Sequence, residues 1–276
     1  MTQTQEEYWN EDAGDFWAKE ADALDGILEP FLNPILEGLG GHNPQHIVDI
    51  GCGAGSLSLL AKRRYPAATC TGLDLSVPML GVAQDRAAAA GLDVSFIAGD
   101  ATKAQLDAPA DAMISRYGIM FFEEPVDAFI KLRGLMAAGG RFSAVCWQEM
   151  PKNGWLAKPM RAVLPFLKEP PPEPDPHAPG PFAFADKARV VGILEQAGWQ
   201  DVAMTPWEGK LKLPGETLDE AANFMTTLGP ASSLIKAQGL DLEPIVAAVM
   251  DILKAESGPD GPYEMEAAAW VLTAKA

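Results

Sequence analysis

The sequence predicts an α/β domain whose open, mostly parallel sheet is wound on both faces by helices. Three observations carry that expectation. Between His46 and about Trp147, short apolar runs alternate with segments that repeat apolar residues at helical spacing, which is the pattern of βαβ units. The first run ends in a glycine-rich turn, Gly51-Cys52-Gly53-Ala54-Gly55. An acidic residue, Asp74, follows Gly53 by 21 residues, where a second strand should end.

His46–Ile50 reads as the first strand. Leu57, Leu60 and Ala61 form an i, i+3, i+4 stripe for a helix that must stop near Pro66. Ala68–Leu73 is the second strand, and Ser76 caps a helix with Pro78 in its first turn. Met79, Val82, Ala83 and Ala87 give its buried face, up to Gly91. Val94–Ala98 and Asp111–Ser115 are strands three and four. A helix runs from Pro125 through Val126, Phe129, Leu132 and Met136, closed by Gly139-Gly140, and Arg141–Trp147 is strand five. Pro151–Leu167 reads as a helix interrupted at Pro159. Asp186 caps a helix with Val190, Ile193, Leu194 and Ala197 inward, ended by Gly198, and Trp199–Trp207 is strand six. Thr217-x-x-Glu220 is a capping box for a helix through Phe224, Met225 and Leu228. Leu242, Ile245, Val246, Val249 and Leu253 mark another, and Glu264–Thr273 closes a sheet of seven strands.

Two regions stand outside this alternation. Glu169–Pro181 is proline-dense, hence extended and unable to join a sheet. Residues 1–45 are helical in pattern and rich in aromatics (Tyr8, Trp9, Phe16, Trp17), which suits either a flap across the working edge of the sheet or a packing helix. The expected organisation is an N-terminal helical flap over 1–45 and an α/β domain over 46–276. Lid segments are expected at about 150–185 and 209–262.

Composition excludes several classes. Twenty-one Lys plus Arg against 38 Asp plus Glu leave a net charge of −17, a field that repels phosphate backbones and anionic lipid. Nucleic acid and membrane are therefore not expected partners, and Lys62, Arg63 and Arg64 read as the wet face of a helix. No apolar run approaches the roughly 18 residues of a membrane span, and the N-terminus lacks signal-peptide character, so a cytoplasmic location is expected. Cys52, Cys70 and Cys146 are far apart, and the three histidines are scattered, so neither a disulfide framework nor a metal site is expected. Cys70 and Cys146 read as small core residues.

The chemistry concentrates at strand ends. Glycines in the first turn let the backbone bend sharply and approach a ligand, and Asp74 is placed to accept from two ribose hydroxyls. A nicotinamide-dependent oxidoreductase fits these two features as well as any other nucleotide-binding protein. Against a dinucleotide, Ser56 stands where G-x-G-x-x-G needs its last glycine. Asp49 ahead of the turn makes the crevice acidic, and Gly99-Asp100-Ala101 adds a carboxylate able to accept from an adenine amine. Acidic residues after three successive strands suit adenosine joined to a cationic amino-acid end.

Asp49–Gly55, Asp74, Gly99-Asp100 and Ser115–Pro125 (SRYGIMFFEEP) resemble the ordered motifs of class I S-adenosylmethionine-dependent methyltransferases. The chain is particularly similar to the small-molecule subgroup related to ubiquinone and menaquinone methyltransferases. The similarity extends upstream to YWNEDAGDFW and downstream to about Val202. It implies a Rossmann-like methyltransferase fold with S-adenosylmethionine as cofactor. By that resemblance Gly51, Cys52 and Gly53 back onto the methionine and ribose part, and Asp74 holds the ribose hydroxyls. Leu75 and Met79 lie against the adenine, Asp100 and Ala101 read its edge, Arg116 offers its backbone carbonyl to the methionine amino group, and Trp17 covers the cofactor. A non-methylating cofactor-binding protein of the same fold is the remaining alternative.

In-line methyl transfer needs a dedicated base only when the acceptor is a neutral phenol or alcohol. His177, the one histidine in the expected lid, is the candidate base, with a solvated loop residue as its plain alternative. Glu123 and Glu124, ahead of Pro125, read as helix-start acids. Met120, Phe121, Phe122, Trp147, Trp155 and Phe182 are expected near strands four and five, some as core and some lining an apolar pocket for a small apolar or aromatic acceptor. A monomer or homodimer is expected.

Overall fold

Parallel strands buried on both faces read as continuous apolar runs, and the structure, a computed structural model, places such runs at the centre of one sheet. It describes residues 4–171 and 175–276. The strands are β1 (His46–Ile50), β2 (Thr69–Asp74), β3 (Ser95–Ala98), β4 (Ala110–Arg116), β5 (Met136–Trp147), β6 (Gln200–Lys212) and β7 (Glu264–Lys275), in the order β3-β2-β1-β4-β5-β7-β6. Pairings β1–β2, β1–β4, β2–β3 and β4–β5 are parallel. β5 and β7 run antiparallel, because Gly139 meets Ala276 while Gln148 meets Ala268.

Helices α1 (Gln5–Asn10), α2 (Asp12–Lys19), α3 (Ala21–Leu28) and α4 (Leu32–Glu37) precede the sheet. Then come α5 (Ser56–Arg64), α6 (Val77–Ala90), α7 (Pro125–Gly134), α8 (Gly154–Val163), α9 (Lys187–Gln196), α10 (Leu218–Thr227), α11 (Gly229–Gln238) and α12 (Leu242–Ser257). The chain divides into two compact units, one of Met1–Cys146, His177–Pro206 and Trp270–Ala276, the other of Trp147–Pro176 and Trp207–Ala269.

Local chemistry sets the boundaries. Ser76 caps α6 and Gly91 ends it at φ +62°, while Asp186 Oδ1 accepts from Ala188 and Arg189 N–H at the start of α9. Such a cap contributes about 1 kcal/mol. The Thr217–Glu220 capping box opens α10. The core of the first unit centres on Phe129, whose ring lies 5.8 Å from Phe142 and 6.1 Å from Phe184 and whose carbonyl accepts from Trp199 Nε1 at 3.0 Å. In the second unit Val163, Ala231, Ile235 and Ile245 form a buried cluster.

Three local expectations are corrected. α7 ends at Gly134 rather than at Gly139-Gly140: Met136 already pairs with Ala110, and Gly139 and Gly140 belong to β5, bonded to the backbone of Ala276. The buried face of α5 is Leu57, Ser58, Leu59 and Ala61, with Leu60 only half-buried, because a buried carboxyl of β1 needs the Ser58 hydroxyl. α8 runs through buried Pro159 without interruption. α11 is a helix the sequence reading did not assign, with Pro230 in its first turn, where a missing N–H is harmless. Of the proline-dense stretch Glu169–Pro181, residues 172–174 lie outside the described residues. Its far end is tied to the sheet domain by Gly180 N–H donating to the Met120 carbonyl at 3.1 Å.

Candidate active site

Strand order reverses between β1 and β4, and in open α/β sheets the ligand crevice lies beyond the carboxyl ends at that point. The two loops leaving these strands touch there. A Cβ on Gly51, whose φ is +64°, would lie 2.6 Å from the Gly118 Cα, and one on Gly118 would lie 2.5 Å from the Ile50 carbonyl oxygen. Neither residue can carry a side chain without moving backbone. Gly51 and Cys52 donate their N–H groups to the Leu73 carbonyl at 2.8 and 3.1 Å, fastening the turn to β2 before α5 begins at Ser56.

Asp74 ends β2 and organises the adjoining loops. Its Oδ2 accepts from Gly53 N–H at 2.7 Å and its Oδ1 from Ser76 N–H at 2.8 Å. Burial raises its pKa, opposed by the N–H groups of Ser76, Gly53 and Leu75, and the net shift is upward. Met79 packs on the turn from α6, its Cε being 2.8 Å from where a Gly53 Cβ would stand. Leu75 is half-buried between Asp74 and Ser76.

Asp49 departs from the expectation of a standing negative charge in the crevice. It is 1% exposed, and its Oδ2 accepts the Ser58 hydroxyl at 2.6 Å while Oδ1 has no partner among the described residues. Burial pushes its pKa up from 3.8 to about 7, against the opposing Ser58 bond and Arg116 charge and with help from Asp74. Below about 4 both folded and unfolded forms hold this proton; between about 4 and 7 only the folded form does. Folding stability should therefore fall as pH rises through that window. Asp49→Asn should remove this component, so that the stability of the native chain relative to the variant drops by more than about 1 kcal/mol between about pH 5 and about pH 8. Urea unfolding at both pH values measures it, and parallel pH profiles would contradict the assignment.

A charged network not foreseen in the sequence braces the same turn. Arg116 Nη2 pairs with Asp25 and donates to Ser56 Oγ at 2.8 Å, and Ser56 Oγ donates to Asp25 Oδ1 at 2.6 Å. Arg86 Nη1 reaches Asp25 Oδ2 at 2.6 Å and the Ala54 carbonyl at 3.0 Å, with its Nη2 on Asp22. Burial raises the Asp25 pKa, but Arg116, Ser56 and Arg86 outweigh it and hold the carboxyl below its ordinary value. Asp25→Ala would leave Arg116, whose side chain is 13% exposed, without its carboxylate, and Arg86, 23% exposed, with Asp22 as its remaining carboxylate. We expect a loss of about 2–3 kcal/mol in urea unfolding, and a loss under about 0.5 kcal/mol would show the network to be ornamental. Asp25 lies on α3, whose apolar face gives no cue to its role.

The N-terminal helices place aromatics at this edge. Trp9 meets Trp17, Tyr8 and Phe121 edge-on at 5.9, 5.2 and 5.3 Å. Trp17 is half-buried. Met120 is buried and Phe121 and Phe122 are half-buried beyond β4, with Phe122 6.0 Å from Phe129, and Phe182 is half-buried in the turn before α9. Trp147 and Trp155 belong to the second unit, where their rings lie 5.2 Å apart.

Asp100 caps a short 3₁₀ turn at Ala101–Lys103, its Oδ1 taking the Thr102 N–H and hydroxyl at 2.8 and 2.7 Å and its Oδ2 pairing with Lys103 at 3.2 Å. Burial raises its pKa, but Thr102 and Lys103 prevail and lower it, so the group is an acceptor at neutral pH. Ala101 is buried beneath it. Cys52 is buried, and burial, then Asp74 and Asp49, lift its thiol far above the reactive range. His177 is exposed in a turn. Among the described residues no three His, Cys, Asp or Glu side chains gather as a metal site, and no helix is long and apolar enough to cross a membrane.

Residues 47–140 match the family model described as a methyltransferase domain. Over 128 residues the chain is 34% identical to a demethylmenaquinone methyltransferase of Thermus thermophilus, an alignment covering 45% of this chain and 58% of that protein. The chain spans less than two thirds of the curated relatives it first matches. Among solved structures it resembles a Haemonchus contortus phosphoethanolamine N-methyltransferase in complex with S-adenosyl-L-methionine (15% identity, TM-score 0.59, covering 97% of this chain and 58% of that one). It also resembles the [4+2]-cyclase SpnF (17% identity, TM-score 0.57, covering 99% and 96%). Over residues 47–140 the chain is thus similar to methyltransferase domains, demethylmenaquinone methyltransferases among them, and its sheet has the fold of the solved structures it resembles.

Proposed function

We propose that this protein transfers a methyl group from S-adenosylmethionine to a small, apolar or aromatic acceptor. The observation that supports this best is the Asp74 carboxylate, fixed by Gly53 and Ser76 N–H groups beside the glycine contact at the switch point. The residues present fit the cofactor. Beside the turn, Arg116 Nη1 is a buried donor without a partner among the described residues, suited to the carboxylate of an amino-acid end.

In this reading Asp74 holds the ribose hydroxyls, Leu75 and Met79 flank the adenine, and Asp100 and Ala101 meet its amino edge. Gly51, Cys52 and Gly53 form the floor under the methionine part, with the Arg116 carbonyl on its amino group. Residues 1–45 serve as a flap whose Trp17 covers the cofactor. When bound, the cofactor would supply an electrophilic methyl group on its sulfonium, with the thioether as leaving group. Holding acceptor and methyl in line contributes up to about 7–11 kcal/mol, and excluding water is the protein's other task. Met120, Phe121, Phe122 and Phe182 supply the apolar surface for the acceptor on the sheet domain. No protein base is required for an acceptor that is an amine, a thiolate or a stabilised carbanion, and exposed His177 has no assigned step.

The test is turnover of methyl-labelled S-adenosylmethionine by the full chain with a panel of quinols, phenols and small acids, following S-adenosylhomocysteine and labelled product by mass spectrometry. Label in a product one methylene heavier supports the reading. Cofactor binding with no label transferred to any acceptor, alongside conversion of one of them, would favour a non-methylating use of the fold.

A further inference from the structure

Asn10, the last residue of α1, reaches across to the loop that follows Asp74. Its Nδ2 donates to the Leu75 carbonyl at 2.8 Å and to the Glu6 carbonyl at 2.9 Å, and its Oδ1 accepts from Val77 N–H at 3.0 Å. The Leu75 carbonyl and the Ser76 N–H belong to one planar peptide unit, so fixing the oxygen fixes the direction of the N–H. That N–H is the group held by Asp74 Oδ1, while Asp74 Oδ2 holds Gly53 N–H. One side-chain amide on the N-terminal helices therefore governs a relay of four members: Asn10, the Leu75–Ser76 peptide, the Asp74 carboxylate and the glycine turn.

Two further contacts hold Asn10 in place. α2 approaches the same loop at Gly14, where a Cβ would stand 2.8 Å from Ser76 Oγ and 2.0 Å from the Trp9 carbonyl oxygen. Trp9, adjacent to Asn10, is set edge-on against Phe121 beyond β4. The helices thus bridge the loops after β2 and β4.

We propose that Asn10 is a positioning residue for cofactor binding, acting through the Leu75–Ser76 peptide on the carboxylate of Asp74. The inference rests on the reading of Asp74 as the ribose ligand. In contrast to a flap that only covers a bound molecule, Asn10 sets the orientation of the group that binds it.

The experiment is a double-mutant cycle in the full chain, with S-adenosylhomocysteine affinity measured by titration calorimetry. Asn10→Ala should weaken binding about 5- to 10-fold, while its ligand-free melting temperature stays within about 1 °C of the native chain, because the side chain is exposed. In an Asp74→Asn background, where a single acceptor can hold only one of the two N–H groups and the relay from Ser76 to Gly53 is cut, the same change should cost less than about 2-fold. Val77→Pro removes the second arm of the clasp at a helix position that tolerates proline, and should weaken binding by a similar factor through a faster off-rate. Unchanged affinity in Asn10→Ala, or an equal loss in both backgrounds, overturns the relay. A native chain that does not bind S-adenosylhomocysteine overturns the cofactor reading itself, a result distinct from binding that is indifferent to Asn10.

Discussion

Asp74→Ala is expected to weaken S-adenosylhomocysteine binding by at least about 100-fold, on the order of 3 kcal/mol. Two losses add. A carboxylate placed for two ribose hydroxyls would make two charge-assisted hydrogen bonds, each contributing about 1.5–3 kcal/mol. The same carboxylate also sets the turn, since without it the N–H groups of Gly53 and Ser76 lose their acceptor and the glycine loop loses one of its fastenings to the end of β2. Asp74→Asn separates these effects: its amide keeps one acceptor, so the loop should hold better than in the alanine variant while affinity still falls by at least about 10-fold. Asp100→Asn should cost less, because that carboxylate already caps its own turn and pairs with Lys103. Calorimetric titration of the three variants orders them. Equal affinity for Asp74→Ala and the native chain would remove Asp74 from the site.

Gly51→Ala is expected to cost about 3 kcal/mol or more of stability, with a fall in melting temperature of about 6 °C or more. The new Cβ meets backbone rather than a movable side chain, 2.6 Å from the Gly118 Cα, and the residue must keep φ at +64°. Relief requires the loops after β1 and β4 to part, at the place where the ligand crevice is built. Gly118→Ala tests the reciprocal contact, its Cβ falling 2.5 Å from the Ile50 carbonyl oxygen and 2.8 Å from the Gly51 Cα. If the two loops act as one unit, the double variant should be less destabilised than the sum of the singles, since one displacement relieves both clashes. Thermal and urea unfolding measure all three, and a Gly51→Ala variant as stable as the native chain would show that the close approach is absent.

The physical reason for what was legible in the sequence is range. Ser76, Asp186 and Thr217 act within three residues of themselves, so the starts of α6, α9 and α10 could be read from short windows. The glycine turn and Asp74 were legible because they terminate neighbouring parallel strands, and the alternation of strand and helix fixes that spacing. Contacts chosen by tertiary packing were not. Asp25 binds Arg116 across 91 residues and Asn10 binds Leu75 across 65, and neither has a local pattern that tells a site residue from a solvated one. Asp49 was legible as an acid at the right place. Its raised pKa, however, depends on complete burial and on Ser58, which periodicity places on the wrong face of α5. The end of α7 was misplaced because Gly139-Gly140 looks like a helix stop, whereas pairing with the final residue of the chain draws it into β5.

The central claim is that the crevice between β1 and β4 takes an adenosine bearing a methionine end. Calorimetric titration of the native chain with S-adenosylmethionine, S-adenosylhomocysteine, NAD and NADP tests it most directly. Saturable binding of the first two at one site per chain is expected, weakened at least about 100-fold in Asp74→Ala, with no heat from the nicotinamide nucleotides; binding of a nicotinamide nucleotide alone would contradict it.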